Sequence, residues 1–157
     1  KYPNDINLHS NGVTLVAGPS AVTGESYKYN GTSYLIVDDE TIRDNDNKTA
    51  NIVTTRVTDM RILFYANVLF NQNVSSWDTG AVTNMVLMFY GATAFNGDIS
   101  SWNTAGVTDM DYMFMSATAF NQNLTGWCVT EVTTEPTGFS TNSALTPANK
   151  PDWGTCP

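Results

Sequence analysis

Apolar positions along this chain recur with a fixed period of 25 residues. Three copies of one pattern, beginning V-T-x-M-x-x-[LM]-F, follow each other without insertion over residues 57–81, 82–106 and 107–131. Self-similarity at such a period is the signature of repeat architectures, in which each copy buries its apolar face against its neighbours. The sequence therefore predicts one array of stacked copies.

The apolar columns of the aligned copies show which positions face the core. The first four lie at offsets 0, 3, 6 and 7 within each copy, close to helical spacing, so each copy is predicted to open with a short helix or 3₁₀ turn. A second phenylalanine, an aliphatic residue and a tryptophan follow. They are Phe70, Val74 and Trp77, then Phe95, Ile99 and Trp102, then Phe120, Leu124 and Trp127. Because they recur at fixed positions, we interpret them as core and not as an aromatic binding box.

The spacing around each tryptophan predicts a strand. The pattern apolar-x-x-Trp-x-Thr/Val-x-x-Val-x-x-Met matches the apolar offsets of a leucine-rich repeat. The predicted fold is an α/β, leucine-rich-repeat-like solenoid, short and right-handed, with a parallel strand ladder and short helices. The ladder is predicted to consist of residues 52–54, 77–79, 102–104 and 127–129. Strand alternation places tryptophan and threonine or valine inward, and Asp78, Asn103 and Cys128 outward.

Asparagine follows the second phenylalanine in every copy, at Asn71, Asn96 and Asn121. The inward asparagine that usually follows the strand of a leucine-rich repeat is missing. We expect the stacked amides of this column to bond turn backbone that would otherwise be buried and unpaired, which is a structural role.

Different patterns flank the copies and predict two caps. Upstream, Asn30-Gly31 between two alternating segments is the strongest short hairpin signal, and Asn11-Gly12 suggests a second hairpin. Residues 38–43 are predicted as a short capping helix. Downstream, a fourth copy begins at Val132 and dissolves after Phe139. The predicted organisation is a β-rich N-terminal cap over 1–56, three repeats over 57–131, and a partial repeat with a C-terminal cap over 132–157.

Fifteen acidic residues against seven basic ones give a formal net charge of −8. An acidic surface disfavours nucleic acid and anionic membranes, both of which attract basic proteins. No segment approaches the roughly 20 consecutive apolar residues of a membrane span. The start Lys1-Tyr2-Pro3-Asn4 shows no signal peptide and is typical of a trimmed or mature fragment.

The two cysteines, Cys128 and Cys156, both lie near the C-terminus. A zinc site needs about four ligands and a redox pair is usually spaced C-x-x-C, so neither fits. A disulfide that ties the tail to the last repeat fits and would imply an oxidising compartment. The alternative is two independent small apolar residues.

No catalytic constellation is visible. His9 is the sole histidine, and the motifs of zinc proteases, serine hydrolases and phosphate-binding loops are absent. The segment from Asp44 begins like a calcium loop, but Thr49 and Thr55 occupy the positions of the required glycine and glutamate, so at most a weaker calcium site stays open. We therefore expect no enzyme activity, no cofactor and no dedicated metal centre. A pair of surface carboxylates that supports glycoside chemistry is the minor enzymatic alternative, although the carboxylates lie in variable columns.

Two further surface patterns stay open as minor alternatives. Formal glycosylation sequons begin at Asn30, Asn47, Asn73 and Asn123. The exposed threonine column Thr58, Thr83, Thr108 and Thr133 raises an ice-binding alternative, although one threonine per copy makes a thin array.

The repeated signature V-T-x-M-x-x-M-F-x-x-A-x-x-F-N-x-x-[VIL]-x-x-W-[DN] resembles that of the BspA-like leucine-rich repeats of bacterial surface proteins. The resemblance covers residues 57–139, and the ending from Asn142 to Pro157 resembles the closing cap of such proteins. It implies a secreted or cell-surface, non-catalytic binding module that mediates adhesion to host matrix, glycan, other cells or biofilm. A structural or display spacer of a larger surface protein is the alternative.

Two surface regions are candidates for the ligand site of a monomeric module. The first is the polar face of the predicted strands, suited to glycans or cationic groups, with Ser76, Asp78, Ser101 and Asn103. The second is an apolar and aromatic ridge, for which packing between copies is the alternative. It consists of Tyr65, Tyr90 and Met115, with the neighbouring column Ile62, Leu87 and Tyr112. We favour the strand face for polar ligands.

Overall fold

The structure, a computed structural model, describes residues 5–44 and 51–157. Across these residues regular secondary structure is sparse, with short β-strands, two 3₁₀ helices and no α-helix. Most of the chain consists of turns and irregular segments around a large buried aromatic cluster. Asn45, Asp46 and Asn47 of the calcium-loop-like segment, together with Thr49 and the sequon at Asn47, lie outside the described residues.

The N-terminal cap contains the two predicted hairpins. Strand β1 (Ile6–Leu8) pairs antiparallel with β2 (Leu15–Ala17), and β3 (Ser26–Tyr29) pairs antiparallel with β4 (Thr32–Asp38). The second hairpin turns at Asn30-Gly31, where φ values of 47° and 82° are left-handed conformations that asparagine and glycine adopt most easily. Both hairpin predictions are confirmed.

Strand β5 (Ile52–Arg56) joins the second hairpin and leads into the repeats. It pairs parallel with β4, so the sheet has the order β3-β4-β5. A strand is therefore present at the predicted position 52–54, but it is not the first member of a ladder with 77–79. The predicted capping helix is a single 3₁₀ turn, η1 (Thr41–Arg43), which is shorter than expected. Asp38 lies just before this turn, and its carboxylate accepts hydrogen bonds from the N–H and the hydroxyl of Thr41, at 3.0 and 2.8 Å.

The three copies lie on one another with equivalent side chains in contact. Phe64, Phe89 and Phe114 stack in one column, with ring centroids 5.4 and 5.6 Å apart. The rings of Trp77 and Trp102 are 6.4 Å apart and nearly parallel. All of these rings are buried, so their interpretation as core is confirmed.

The predicted helix or 3₁₀ turn at the start of each copy is only partly correct. Single turns are present, for example Leu63 N–H to the Met60 carbonyl, but alternate residues donate to the next copy instead of along a helix. In the first copy the N–H groups of Met60, Ile62, Phe64 and Ala66 donate to the carbonyls of Asn84, Val86, Met88 and Tyr90, at 2.7–2.9 Å. Left-handed φ values at Ile62, Leu87 and Tyr112, between 54° and 59°, interrupt the helical conformation at the same point of each copy. A helix cannot form because its donors are used between copies.

The predicted strands at 77–79, 102–104 and 127–129 are wrong. Within the described residues, the backbone pairing between copies falls earlier in each copy, including parallel bridges from Asp59 to Asn84 and from Asn84 to Asp109. At the predicted strand positions, buried threonine hydroxyls link the copies. Thr79 donates to the Asn103 carbonyl at 2.9 Å, and Thr104 donates to the Cys128 carbonyl at 2.8 Å. A side chain thus takes the role that backbone N–H groups have in a strand ladder.

The N-terminal cap supplies hydrogen bonds to the exposed edge of the first copy. Arg43 donates from its two terminal nitrogens to the carbonyls of Arg61 and Asp59, at 3.0 and 3.1 Å. In the later copies the equivalent carbonyls accept N–H groups from the preceding copy, for example Asn84 from Met60. Arg43 therefore replaces a preceding copy for two of these acceptors.

Asp39 fastens the same junction, and its protonation should weaken the fold. Its carboxylate accepts hydrogen bonds from the Thr58 N–H and hydroxyl, both at 2.6 Å, and from the Asp59 N–H at 2.9 Å. Partial burial opposes ionisation, but these bonds and the nearby Arg43 outweigh it and lower the pKa of Asp39 below its ordinary value of 3.8.

A depressed pKa makes the contribution of Asp39 depend on pH in one direction. Its stabilisation is present above the unfolded-state pKa and is lost as the pH falls through the folded-state pKa. We expect Asp39→Asn to lower the free energy of unfolding by about 1 kcal/mol at pH 7, and the difference from the parent to shrink below pH 3.8. Urea denaturation along a pH series measures this, with Glu131→Gln on the exposed surface as control. A difference that stays constant down to pH 2 would contradict it.

The C-terminal cap closes the other end of the array. Cys128 and Cys156 form a disulfide, as predicted. The Gly154 N–H donates to the Val132 carbonyl at 3.0 Å, and Trp153 meets Phe139 edge to face with ring centroids 5.0 Å apart. A second 3₁₀ helix, η2 (Pro147–Asn149), lies in this segment.

Candidate ligand-binding face

The loop of the first hairpin lies against the first two copies. The Leu15 N–H donates to the Ser76 carbonyl at 2.9 Å, which fixes the hairpin to the first copy. Asn11 shapes the loop because its side-chain oxygen accepts the N–H groups of Val13 and Thr14, both at 3.0 Å. This is the Asn-Gly turn chemistry that predicted the hairpin.

Two clefts open beside this loop. The larger has a volume of about 640 Å³ and is lined by Val13 of the loop and by polar residues of the first two copies. Its side chains include Asn71, Asn96, Asp98 and Ser101. The smaller cleft, of about 50 Å³, lies between His9 and Thr14 of the loop and the predicted polar face. Ser101 lines both clefts, so they form one continuous surface, which we call the hairpin face.

The structure brings three of the four predicted polar site residues together. Asp78, Ser101 and Asn103 line the smaller cleft. Asp78 also accepts the Gly80 N–H at 3.0 Å, and Asn103 the Ala105 N–H at 3.1 Å, so both have local turn roles. The fourth, Ser76, uses its carbonyl to hold Leu15 and lines neither cleft.

The predicted aromatic ridge is present as a stack. The rings of Tyr65 and Tyr90 are 4.9 Å apart and nearly parallel. Tyr65 is half exposed, whereas Tyr90 and Met115 are partly buried. In the neighbouring column Ile62 is half exposed, so the ridge is most accessible on the first copy.

Sequence reasoning missed two exposed apolar residues beside this ridge. Leu69 is 86% exposed and Val68 53% exposed. The other copies carry threonine in the Val68 column and alanine in the Leu69 column, so the departure was visible in the aligned sequence. The first copy is therefore the most apolar on its outer surface.

The asparagine column has the structural role that was expected, although its members are exposed. The Asn71 side-chain oxygen accepts the Asn96 N–H, and that of Asn96 accepts the Asn121 N–H, both at 3.1 Å. Asn121 continues the series by accepting the Thr146 N–H at 3.0 Å. Asn71 and Asn96 also line the larger cleft, whereas the sequence predicted only a structural role for this column.

Asp98 supplies the negative charge of the larger cleft. The side chain and the backbone N–H of Ser100 hydrogen-bond its carboxylate, the N–H at 2.9 Å, and this lowers the pKa of Asp98 despite some burial. The carboxylate is therefore ionised at neutral pH and accepts hydrogen bonds. The described residues contain no group of three or more histidine, cysteine, aspartate or glutamate side chains that could hold a metal ion.

The copies stack in register over a buried aromatic cluster, and an open face lies beside the loop of the first hairpin. The profile of the family described as "Mycoplasma protein of unknown function, DUF285" matches residues 36–153. Because the match extends over most of the sequence, the chain belongs to this family. No curated protein and no solved structure matches the chain. Among the described residues, no helix has the length and apolar character needed to cross a membrane.

Proposed function

We propose that this chain is a secreted or cell-surface, non-catalytic binding module that mediates adhesion to host matrix, glycan, other cells or biofilm. In this proposal the copies form a short solenoid of the BspA-like, leucine-rich-repeat-like kind with a cap at each end. The capped ends leave the sides of the stack as the surfaces for a partner. The disulfide supports an oxidising compartment, since such bonds persist mainly outside the cytosol.

The open cleft on the hairpin face, where amide, hydroxyl and carboxylate side chains meet, is the observation that carries the proposal. The core columns keep their residue types from copy to copy, which stacking requires. Two of the columns that line the cleft differ between the first two copies, with Gln72 against Gly97 and Asn73 against Asp98. An open cleft that offers several hydrogen-bonding side chains supports ligand recognition at this face.

Attachment assays with two double variants test where a partner binds. The purified chain is presented to extracellular matrix proteins and to cells, and compared with Asp78→Ala/Asn103→Ala and with Tyr65→Ala/Tyr90→Ala. Circular dichroism and urea denaturation first confirm that each variant folds. We expect the parent to attach saturably and the hairpin-face double to weaken attachment more than the ridge double.

The other outcomes decide between the alternatives. Greater loss in the tyrosine double would move the site to the apolar ridge. Failure of the parent to attach to any of these surfaces would contradict adhesion and favour the display spacer.

A further inference from the structure

The larger cleft opens at the second copy, which lacks a side chain where the third copy and the C-terminal segment each supply an amide. Directly after the asparagine of the asparagine column, the three copies carry Gln72, Gly97 and Gln122. The Gln122 side-chain amide donates to the backbone and side-chain oxygens of Asn96, at 2.8 and 3.0 Å. The Asn149 amide donates in the same way to both oxygens of Asn121, at 3.2 and 3.0 Å.

Asn71 is the member of the asparagine column whose oxygens receive no such side-chain amide. The residue one period after Gln72 is Gly97, which has no side chain to donate. Within the described part of the chain, the side-chain oxygen of Asn71 accepts the Asn96 N–H, and no side-chain amide bonds its two oxygens. Asn71 and Gly97 both line the larger cleft. The backbone and side-chain oxygens of Asn71 are therefore two acceptors at the position where a carboxamide donates to the equivalent oxygens of Asn96 and Asn121.

A second departure from the repeat lies beside the first. Asp98 occupies the column that is asparagine in the other copies, at Asn73 and Asn123. The carboxylate keeps the local turn, accepting the Ser100 N–H as Asn73 accepts the Ser75 N–H, both at 2.9 Å. Aspartate in place of asparagine therefore adds a negative charge while it keeps the local turn. A charged carboxylate is a stronger hydrogen-bond acceptor than an amide oxygen.

We propose that this cleft binds a saccharide, with a hydroxyl of the sugar donating to the oxygens of Asn71 in place of the missing amide. A neighbouring hydroxyl donates to Asp98, and Val13 contacts an apolar face of the sugar ring. The proposal deepens the adhesion function above and rests on it. The volume of about 640 Å³ falls within the roughly 300–1,000 Å³ of small-molecule sites, and the lining offers both hydrogen-bonding groups and apolar surface, which suits the hydroxyls and the apolar ring face of a sugar.

A titration followed by NMR tests the saccharide directly. The ¹⁵N-labelled chain is titrated with the methyl glycosides of glucose, galactose, mannose and N-acetylglucosamine at millimolar concentrations. We expect at least one glycoside to shift the signals of Asn71, Gly97 and Asp98 saturably. Blocked glutamine (N-acetylglutamine amide) is the competing probe, because a peptide side chain could also supply the missing amide.

Three variants sharpen the test. Asp98→Asn restores the residue of the other copies and should weaken glycoside binding about tenfold, since hydrogen bonds to charged groups are about twice as strong as neutral ones. Gly97→Gln should remove binding by filling the cleft with the chain's own amide. An added Cβ there lies 2.9 Å from the Phe95 ring, so this variant is used only if it folds, and Asp98→Asn decides otherwise. Asn123→Asp places the same charge on the third copy and should leave binding unchanged.

Each remaining result overturns the saccharide site. It fails if no glycoside shifts the cleft signals, if Asp98→Asn and Asn123→Asp behave alike, or if blocked glutamine binds more tightly than every glycoside. These failures are separate from failure of adhesion. A parent chain that attaches to matrix or cells but binds no glycoside keeps the adhesion function and loses only the ligand class.

Discussion

Replacing Phe89 with alanine should lower the free energy of unfolding by about 4 kcal/mol, within the range for large aromatic residues in cores. Phe89 is fully buried in the middle copy. Its ring stacks on Phe64 and Phe114 in the copies on either side and on Phe95 in its own copy, with centroids 5.4, 5.6 and 4.0 Å away. A cavity at this position removes contacts from all three copies at once.

Urea denaturation of Phe89→Ala measures the effect, with Tyr90→Ala as the matched control. Tyr90 is the next residue in the chain and stacks on Tyr65, but it lies at the partly exposed surface. We expect Tyr90→Ala to cost about 1 kcal/mol, the size of an exposed aromatic pair. Equal losses in the two variants would contradict the stacked core.

Removing the disulfide should give the second largest loss, about 3.5 kcal/mol. The two cysteines are 28 residues apart, and closing a loop of that size restricts the unfolded chain by this amount in the chain-entropy model. The folded cap also depends on the bond's position, because Thr155, next to Cys156, accepts the Val129 N–H at 2.8 Å. Loss of the tail would uncover the end of the array.

The Cys128→Ala/Cys156→Ala double variant isolates this effect. Its midpoint of urea denaturation should fall and should no longer respond to reductant, whereas the parent's midpoint should fall when reductant is added. Mass spectrometry of the unreduced parent is the accompanying control. Two free thiols in that sample, or equal stability of parent and double variant, would contradict the prediction.

The stacking of copies could be predicted from the sequence because the same apolar residue types recur at equivalent positions of each copy and form the core. Phenylalanine, methionine and tryptophan return at the same positions, and only in-register contact between copies buries them all. The hairpins were predictable for a local reason, since Asn30-Gly31 favours one turn type in any context. The disulfide followed from the lack of other partners for two cysteines.

The backbone path within each copy could not be predicted in the same way. The apolar offsets around Trp77 and Trp102 are compatible with a strand. In the structure, however, the Thr79 hydroxyl, and not a backbone N–H, donates to the Asn103 carbonyl of the neighbouring copy. Left-handed backbone at Ile62 and Leu87 is also invisible to pattern reasoning, because β-branched and bulky residues seldom adopt it. Contacts between copies override these local preferences.

The candidate site was only half predictable. The aligned copies showed that Asp78, Ser101 and Asn103 share an outward face, and the structure places them around one cleft. The larger cleft depends on a missing side chain at Gly97, and its meaning emerges only once Gln122 is seen bonding both oxygens of Asn96. The loop of the first hairpin also borders the face from about sixty or more residues away in sequence, a distance that periodicity does not reach.

Attachment of the purified chain to matrix and cells, compared with the Gly97→Gln/Asp98→Asn double variant, tests the proposed binding function most directly. The double variant gives the second copy the residues that the third copy carries at both columns. With folding verified by urea denaturation, the parent should attach saturably and the double variant should lose at least about nine tenths of its affinity, or about 1.4 kcal/mol. Attachment of the folded double variant at the parent's affinity would contradict the assignment of the cleft as the binding site.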